Sequence, residues 1–453
     1  MASETKDNEL FSSKKTRREV LKAGAAGAVG LGAAATLGKT GAARAAAPAI
    51  VTRAPQTITL MSWFQFEPGR NTAWFDLIKD FHASQNDYRI KWTGWGAENF
   101  TSHVLTQQAS GGISADVITL IPDLAYRLVQ GGALEPIDDI VAKLTIGGKP
   151  AVPTAAHDFL RKDGHLYGIS TVEVPFAVVY NKKLIDKAGI TKLATTPAEW
   201  KTQLHALTKK PNQFGIWQPN SPSEIFGWWF QLQNYCLMYD TLWAVGKKSL
   251  VNSPKIVAAL EVWLEQYQNT MAVGATDAVA TKLFDNGQIA ETLNVSAAVN
   301  QYKATAPALY PYIRSVPPPW PSKKSLSRLH PLSIVKGTPK MDGAKAFAEF
   351  MYDPVNNAKL MELCLDVVPT YTQSLAVPGV KQYLASQFWA KGYLEIVHVP
   401  FPTCEGDFIA HDTEFGNIVT QNFEQALFGN VSVQAAMNAA QQQIEDASNR
   451  WFR

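Results

Sequence analysis

The chain has 453 residues, 46% of them hydrophobic, and a formal net charge of +3. That length exceeds one ordinary domain and predicts two. Eight Lys/Arg and four Asp/Glu fall within residues 1–45, leaving 34 basic and 35 acidic residues beyond, so the body lacks the basic footprint that nucleic-acid binding needs.

The first element is a targeting segment, residues 1–45, which stands apart from the fold. Thr16-Arg17-Arg18-Glu19-Val20-Leu21-Lys22 resembles the twin-arginine export signal. An Ala/Gly-rich stretch, Ala23 to Leu37, then leads to a small-residue cleavage site at Ala43-Arg44-Ala45. Spanning a bilayer takes about 20 strongly apolar residues, and this run is short and glycine-rich. The expected location is the periplasm, reached by the twin-arginine route. No cysteine stands near the cleavage site, so no lipid anchor is expected, and no later segment has transmembrane length. Cys236, Cys364 and Cys404 show no metal-type spacing. A Cys364–Cys404 disulfide and three buried thiols both fit them.

An Ala/Pro linker, residues 46–55, precedes a first strand from Ile58 to Trp63. Trp74, Leu77, Ile78 and Phe81 recur at helical spacing and predict a covering helix. Tyr88 to Trp92 reads as a second strand and Asp116 to Ile121 as a third. The third is a continuous apolar run of the kind that buried parallel strands show. Strand and helix in alternation are the α/β signature. Further on, Thr196-Pro197-Ala198-Glu199 offers a capping residue, a proline at the first helical position and a glutamate three residues on. Ser253-Pro254 opens another helix, with Ile256, Leu260, Trp263, Tyr267 and Met271 along one stripe. Leu332 to Val335 is a returning strand, Ala344 to Tyr352 a helix, and a last helix runs from Val433 to about Ala447, capped by Ser432. No internal repeat of 20–50 residues is visible.

The block from Asp163 to Trp200 carries the most specific order. A tight turn feeds a strand with Glu173 in mid-crossing, and a second apolar strand ends in Tyr180-Asn181. A short helix follows, and then the Thr-Pro-x-Glu start. This order resembles the first hinge of the extracellular solute-binding proteins of ABC importers, the sugar-binding family that includes maltose-binding protein. Gly131 to Asp139 resembles the same family's G-x-L-x-P-L-D-D element, and Thr281 to Ala290 its F-x-N-G helix. Val316-Pro317-Pro318-Pro319 and Val367-Val368-Pro369-Thr370 resemble its second and third crossings.

The resemblance covers residues 56 to 450 and implies an α/β, type II periplasmic binding protein fold, with two α/β lobes joined by a multi-crossing hinge. Each lobe would hold a parallel-rich sheet. Lobe 1 would take residues 55–172 and 317–366, and lobe 2 residues 173–316 and 367–453, with crossings near 170–174, 314–319 and 366–370. The implied function is reversible capture of a sugar or sugar-like solute, followed by delivery to the membrane subunits of an ABC importer. No cofactor or metal and no catalytic group would be needed, and a monomer is expected.

A sugar offers C–H faces to aromatic rings and hydroxyls to fixed donors and acceptors. All 13 tryptophans lie after the signal. In open α/β sheets the ligand lies outside the carboxyl ends of the strands, which puts Trp63, Phe64 and Glu67 first. Trp95 follows the second strand, and Trp228 and Trp229 follow Gln213-Phe214-Gly215-Ile216. Glu173, among Val, Pro and Phe, is costly to bury unless paired. Asn294 and Ser296 would offer an amide and a hydroxyl, and Glu405, with Asp407 and Phe408, forms a further polar-aromatic cluster. Core packing is the competing reading for every tryptophan, and the expected one for Trp74, Trp200 and Trp263.

Enzyme signals are poor. The chain has no H-E-x-x-H, G-x-S-x-G or P-loop, and Gly94-Trp95-Gly96 lacks the third glycine of a dinucleotide fingerprint. Two alternatives stay open. One is a polyamine or other polar solute on the same fold. The other is an exported carbohydrate-active lyase or hydrolase, for which Glu405 and Asp407 would be the carboxylate pair.

Overall fold

A computed structural model of the protein describes residues 54–452 apart from 68, 221–223 and 401. The export-signal segment, residues 1–45, lies outside the described residues. Among the described residues no helix is long and apolar enough to cross a membrane.

The first half is built as the alternation predicts. β1 (Gln56–Met61) leads to α1 (Arg70–Ser84), whose buried stripe of Ala73, Trp74, Leu77, Ile78 and Phe81 joins the β1 side chains in one core. β2 (Tyr88–Thr93) and β3 (Val117–Thr119) lie parallel to β1, with α2 (Ala97–Ala109) between them in the chain. α3 (Pro122–Gln130) starts with proline at its first position. β4 (Ile169–Asn181) follows, 13 residues long and buried throughout except at Tyr180.

The second half continues with α4 (Pro197–Leu207), β5 (Phe214–Trp217), α5 (Ile225–Leu232) and α6 (Pro254–Asn269). The Thr196 hydroxyl accepts from the Glu199 N–H, while the Glu199 carboxylate reaches back to the N–H of Thr195. The predicted capping box therefore forms with its return bond one residue upstream. β6 (Ile289–Val295), α7 (Ser296–Thr305) and β7 (Ile313–Val316) lead to β8 (Lys324–Ile334). Then come α8 (Met341–Tyr352), α9 (Pro354–Leu363), β9 (Val397–Pro400), α10 (Asp412–Leu427) and α11 (Val433–Trp451). Ser432 caps α11 as predicted, accepting from the Ala435 N–H at 3.2 Å.

The sheet has nine strands in the order β2-β1-β3-β8-β4-β6-β5, with β7 on β4 and β9 on β8. It is mixed rather than parallel-rich. β3–β8, β8–β4, β4–β6 and β4–β7 are antiparallel, while β1–β2, β1–β3, β5–β6 and β8–β9 are parallel. The reason is that two long central strands, β4 and β8, run in opposite directions through the middle of the sheet.

Those two strands also join the two lobes. Val172 and Val174 belong to the core of the first lobe, whereas Phe176 and Val178 belong to that of the second. The partner changes at the same point: Pro175 still pairs with Ser327 of β8, and Phe176 pairs with Val295 of β6. On β8 the change falls between Leu326 and Leu332, downstream of the Val316–Pro319 turn, where β7 is still paired with β4. A third passage lies around Asp366. Cys364 and Tyr371 pack in the first core, while Leu365 and Val367 pack in a separate cluster of the second lobe with Trp389 and Tyr393. All three cysteines are buried and outside any disulfide, so Cys364 and Cys404 are not bonded to one another.

Candidate functional site

The carboxyl ends of β1 and β2 set the first part of the site. Gly94 approaches Ser62 so closely that a Cβ there would meet the Ser62 carbonyl oxygen at 2.1 Å, at a φ of +156° that side-chain-bearing residues rarely adopt. The Ser62 hydroxyl in turn accepts from Thr119 at 2.7 Å and from the Phe64 N–H at 3.2 Å. The chain is thus pinned where Trp63 and Phe64 leave the sheet. Trp63 is 2% exposed, with ring centroids 4.6 Å from Phe64, 5.0 Å from Phe100 and 5.2 Å from His330. The Arg70 guanidinium lies 5.1 Å from the Phe64 ring centre, a cation–π contact.

Arg70 opens a chain of polar contacts through the passages between lobes. It pairs with Glu67 at 3.5 Å and with Asp366 at 3.4 Å. Asp366 also accepts from the Ser296 hydroxyl at 3.3 Å. A helix of the first lobe, the third crossing and the first residue of α7 therefore meet at one carboxylate. On the first crossing Glu173 accepts from Ser327 of β8 at 2.7 Å. Burial pushes the Asp366 carboxyl up to about 7, against the pull of Arg70 and the Ser296 bond. Burial likewise pushes Glu173 up to about 7; the Ser327 bond opposes the shift and the nearby Asp366 charge adds to it.

A second polar group joins the lobes beside the first. Asp123, at the start of α3, accepts from Thr413 of α10 at 3.5 Å. Arg127 of α3 donates to the Ala410 carbonyl. Asp412 opens α10 and accepts from the Trp229 indole at 3.1 Å and the Gln233 amide at 3.4 Å. Burial and the Asp123 charge push Asp412 up to about 8, with the Trp229 bond and Arg328 opposing. Arg328 of β8 lies 4.3 Å from the Phe230 ring centre and attracts Asp123, Glu67 and Asp412.

Of the residues expected from sequence, Trp63, Phe64, Glu67, Glu173 and Ser296 lie at the first group and Trp229 at the second. The others lie elsewhere. Trp228, 1% exposed, stacks on Trp263 with Phe423 beside it, because one step along a helix turns the side chain away from its neighbour. Trp95 stacks face to face on His103 at 4.4 Å. Asn294 turns to the hydroxyl of Tyr302 at 3.4 Å, within the second lobe. Glu405 is exposed, ahead of the short helix Gly406–His411.

Arg70, Asp123, Arg328, Asp366 and Asp412 were not singled out. One of them carried a readable signal: Asp366 stands between Leu365 and Val367. A charge inside an apolar run must find a partner.

Two α/β lobes joined by three passages, with polar side chains gathered at the junction, define the type II periplasmic binding protein class. Residues 76–386 match the family model described as bacterial extracellular solute-binding protein. The chain belongs to that family. No curated protein matches it. Among solved structures, an ABC substrate-binding protein from Listeria monocytogenes in complex with cycloalternan is similar at 18% identity and a TM-score of 0.71, over 87% of this chain and 99% of that one. The GacH receptor of Streptomyces glaucescens, studied unliganded and with acarbose, is similar at 19% identity and a TM-score of 0.73, over 86% and 98%. The sugar-binding protein MalE of Xanthomonas citri stands at 19% identity and 0.70, over 88% and 99%. At these identities the likeness establishes the fold.

Proposed function

We propose that the protein captures a sugar or sugar-like solute between its two lobes and delivers it to the membrane subunits of an ABC importer. The observation that carries this reading is the junction at Asp366, where Arg70 of one lobe and Ser296 of the other share one carboxylate. Side chains drawn from both lobes are what a closing cleft brings together around a guest. Related structures of this fold hold cycloalternan and acarbose, which points to carbohydrate.

Capture is reversible and non-covalent, and ATP is hydrolysed by the importer and not by this chain. The lobes rotate about the passages near Pro175, between Leu326 and Leu332, and around Asp366. Trp63 and Phe64 supply apolar faces; Glu67, Glu173 and Ser296 supply hydrogen-bonding groups. The protein acts as a monomer in the periplasm, and Arg17-Arg18 directs export by the twin-arginine route.

The test is a thermal-shift screen of the chain without residues 1–45 against sugars, polyols and polyamines. A sugar should raise the melting temperature in proportion to the logarithm of its concentration. Trp63→Ala should weaken that sugar's binding by about tenfold or more, roughly 1.4 kcal/mol, while the fold persists. Turnover of an oligosaccharide, or no shift with any sugar, would overturn the reading.

A further inference from the structure

Glu173 and Asp366 sit on two of the three passages between lobes, 3% and 0% exposed. Each uses one carboxylate oxygen: Glu173 Oε1 accepts from Ser327, and Asp366 Oδ1 accepts from Arg70 and Ser296. The second oxygens, Glu173 Oε2 and Asp366 Oδ2, are out of water and accept no hydrogen bond. A buried charged acceptor left in this condition is among the more costly arrangements a fold can hold. The two carboxyls are also near enough that the charge of Asp366 disfavours ionisation of Glu173.

The surrounding charges do not balance them. Five carboxyl groups lie along the junction: Glu67, Asp123, Asp366 and Asp412 face the buried guanidiniums of Arg70 and Arg328, and Glu173 lies near Asp366. Arg127 adds a third guanidinium, only partly buried, beside Asp123. His330 is kept neutral by burial, which holds it well below its ordinary value with Arg328 and Arg70 adding to the effect. The remaining titratable neighbours of Asp366 are the Cys364 thiol, raised by burial, and Tyr383, whose hydroxyl donates to the Asp366 carbonyl at 2.8 Å. Neither supplies positive charge. Carboxyl groups outnumber guanidiniums by two, so not all of them are ionised at once, and the two oxygens without a donor lie among them.

We propose that the solute carries a protonated amino group, received by Glu173 Oε2 and Asp366 Oδ2, so that the guest is an amino sugar or amino polyol. This rests on the sugar-capture reading and narrows it. A hydroxyl supplies a donor but no charge. An ammonium supplies three donors and the missing positive charge together, and its bonds to carboxylates are the stronger kind. An acidic sugar would add like charge to the site and is disfavoured. The guest reaches the two oxygens when the lobes part.

Proton balance follows from the same geometry. Both carboxyls are partly protonated at neutral pH, because burial holds them up to about 7. An arriving ammonium favours the ionised forms, so each carboxyl gives its proton to the buffer.

The experiment is calorimetry on the chain without residues 1–45, with sugars matched in threes: glucosamine, N-acetylglucosamine and glucose; the galactose set; and chitobiose, its diacetyl form and cellobiose. The amine member should bind about tenfold or more tighter than its partners at neutral pH. Its affinity should rise from about pH 5.5 to about pH 7, with an enthalpy that changes with the buffer's ionisation heat as protons are released. Glu173→Gln and Asp366→Asn should each shrink the preference to about threefold or less. Equal or tighter binding of the acetylated or hydroxyl partner by the unaltered chain overturns the amine assignment and leaves sugar capture standing. Failure of every member to bind overturns the amine assignment, and sugar capture falls with it only when no sugar raises the melting temperature.

Discussion

Glu173 and Glu291 are both strand glutamates out of water, and burial pushes each up to about 7. Their surroundings differ. Glu291, inside the second lobe on β6, has both oxygens occupied: Oε2 accepts from the Trp200 indole at 2.8 Å and Oε1 from the Gln203 amide. Glu173, at the junction, has one oxygen occupied and one bare. A raised carboxyl is therefore no mark of a site by itself. What separates the two is completeness: a fully satisfied buried acid fixes packing, while a half-satisfied one at the junction between lobes leaves an acceptor open.

Three measurements sharpen or break that contrast. The largest effect is expected at Arg70, the charged partner of Asp366. Arg70→Ala strands a buried carboxylate and should lower stability by about 4 kcal/mol in denaturant titration while abolishing binding. A mild loss of either would show that the junction tolerates unpaired acid.

Next comes Glu291→Ala, which leaves the Trp200 and Gln203 donors unmatched and should cost about 3 kcal/mol. Solute affinity of the folded fraction should stay as it was, and a changed affinity would dissolve the distinction between the two glutamates.

The smallest effect is on the pH profile. Both glutamates have folded pKa values near 7, above an ordinary value of 4.5. Their stabilising share is complete below about pH 4.5 and disappears as pH rises through about 7, on the order of 1–3 kcal/mol per group. The melting temperature should fall between about pH 5 and about pH 8. Glu291→Gln should flatten that fall equally with and without solute, whereas the share of Glu173 should change once solute is bound.

The strands and the helix starts were legible because each rests on local pattern. The run Ile169–Asn181 is apolar with a single charge, and Thr196 with Glu199 signals a helix start within four residues. The partner change between Pro175 and Phe176 was not legible, since it depends on which distant strand lies alongside. For the same reason Trp63, Glu173 and Ser296 could be singled out as residues, but their company could not. Arg70 meets Asp366 across 296 positions of sequence, and Trp229 meets Asp412 across 183. The Trp228-Trp229 doublet makes the point most simply: two identical neighbours, one step apart on α5, one packed on Trp263 and the other bonded to a carboxylate.

The three sulfur atoms carry a last consequence. None is tied up in a cross-link, so the polypeptide attains its final packing without an oxidant and can complete that packing in a reducing cytosol.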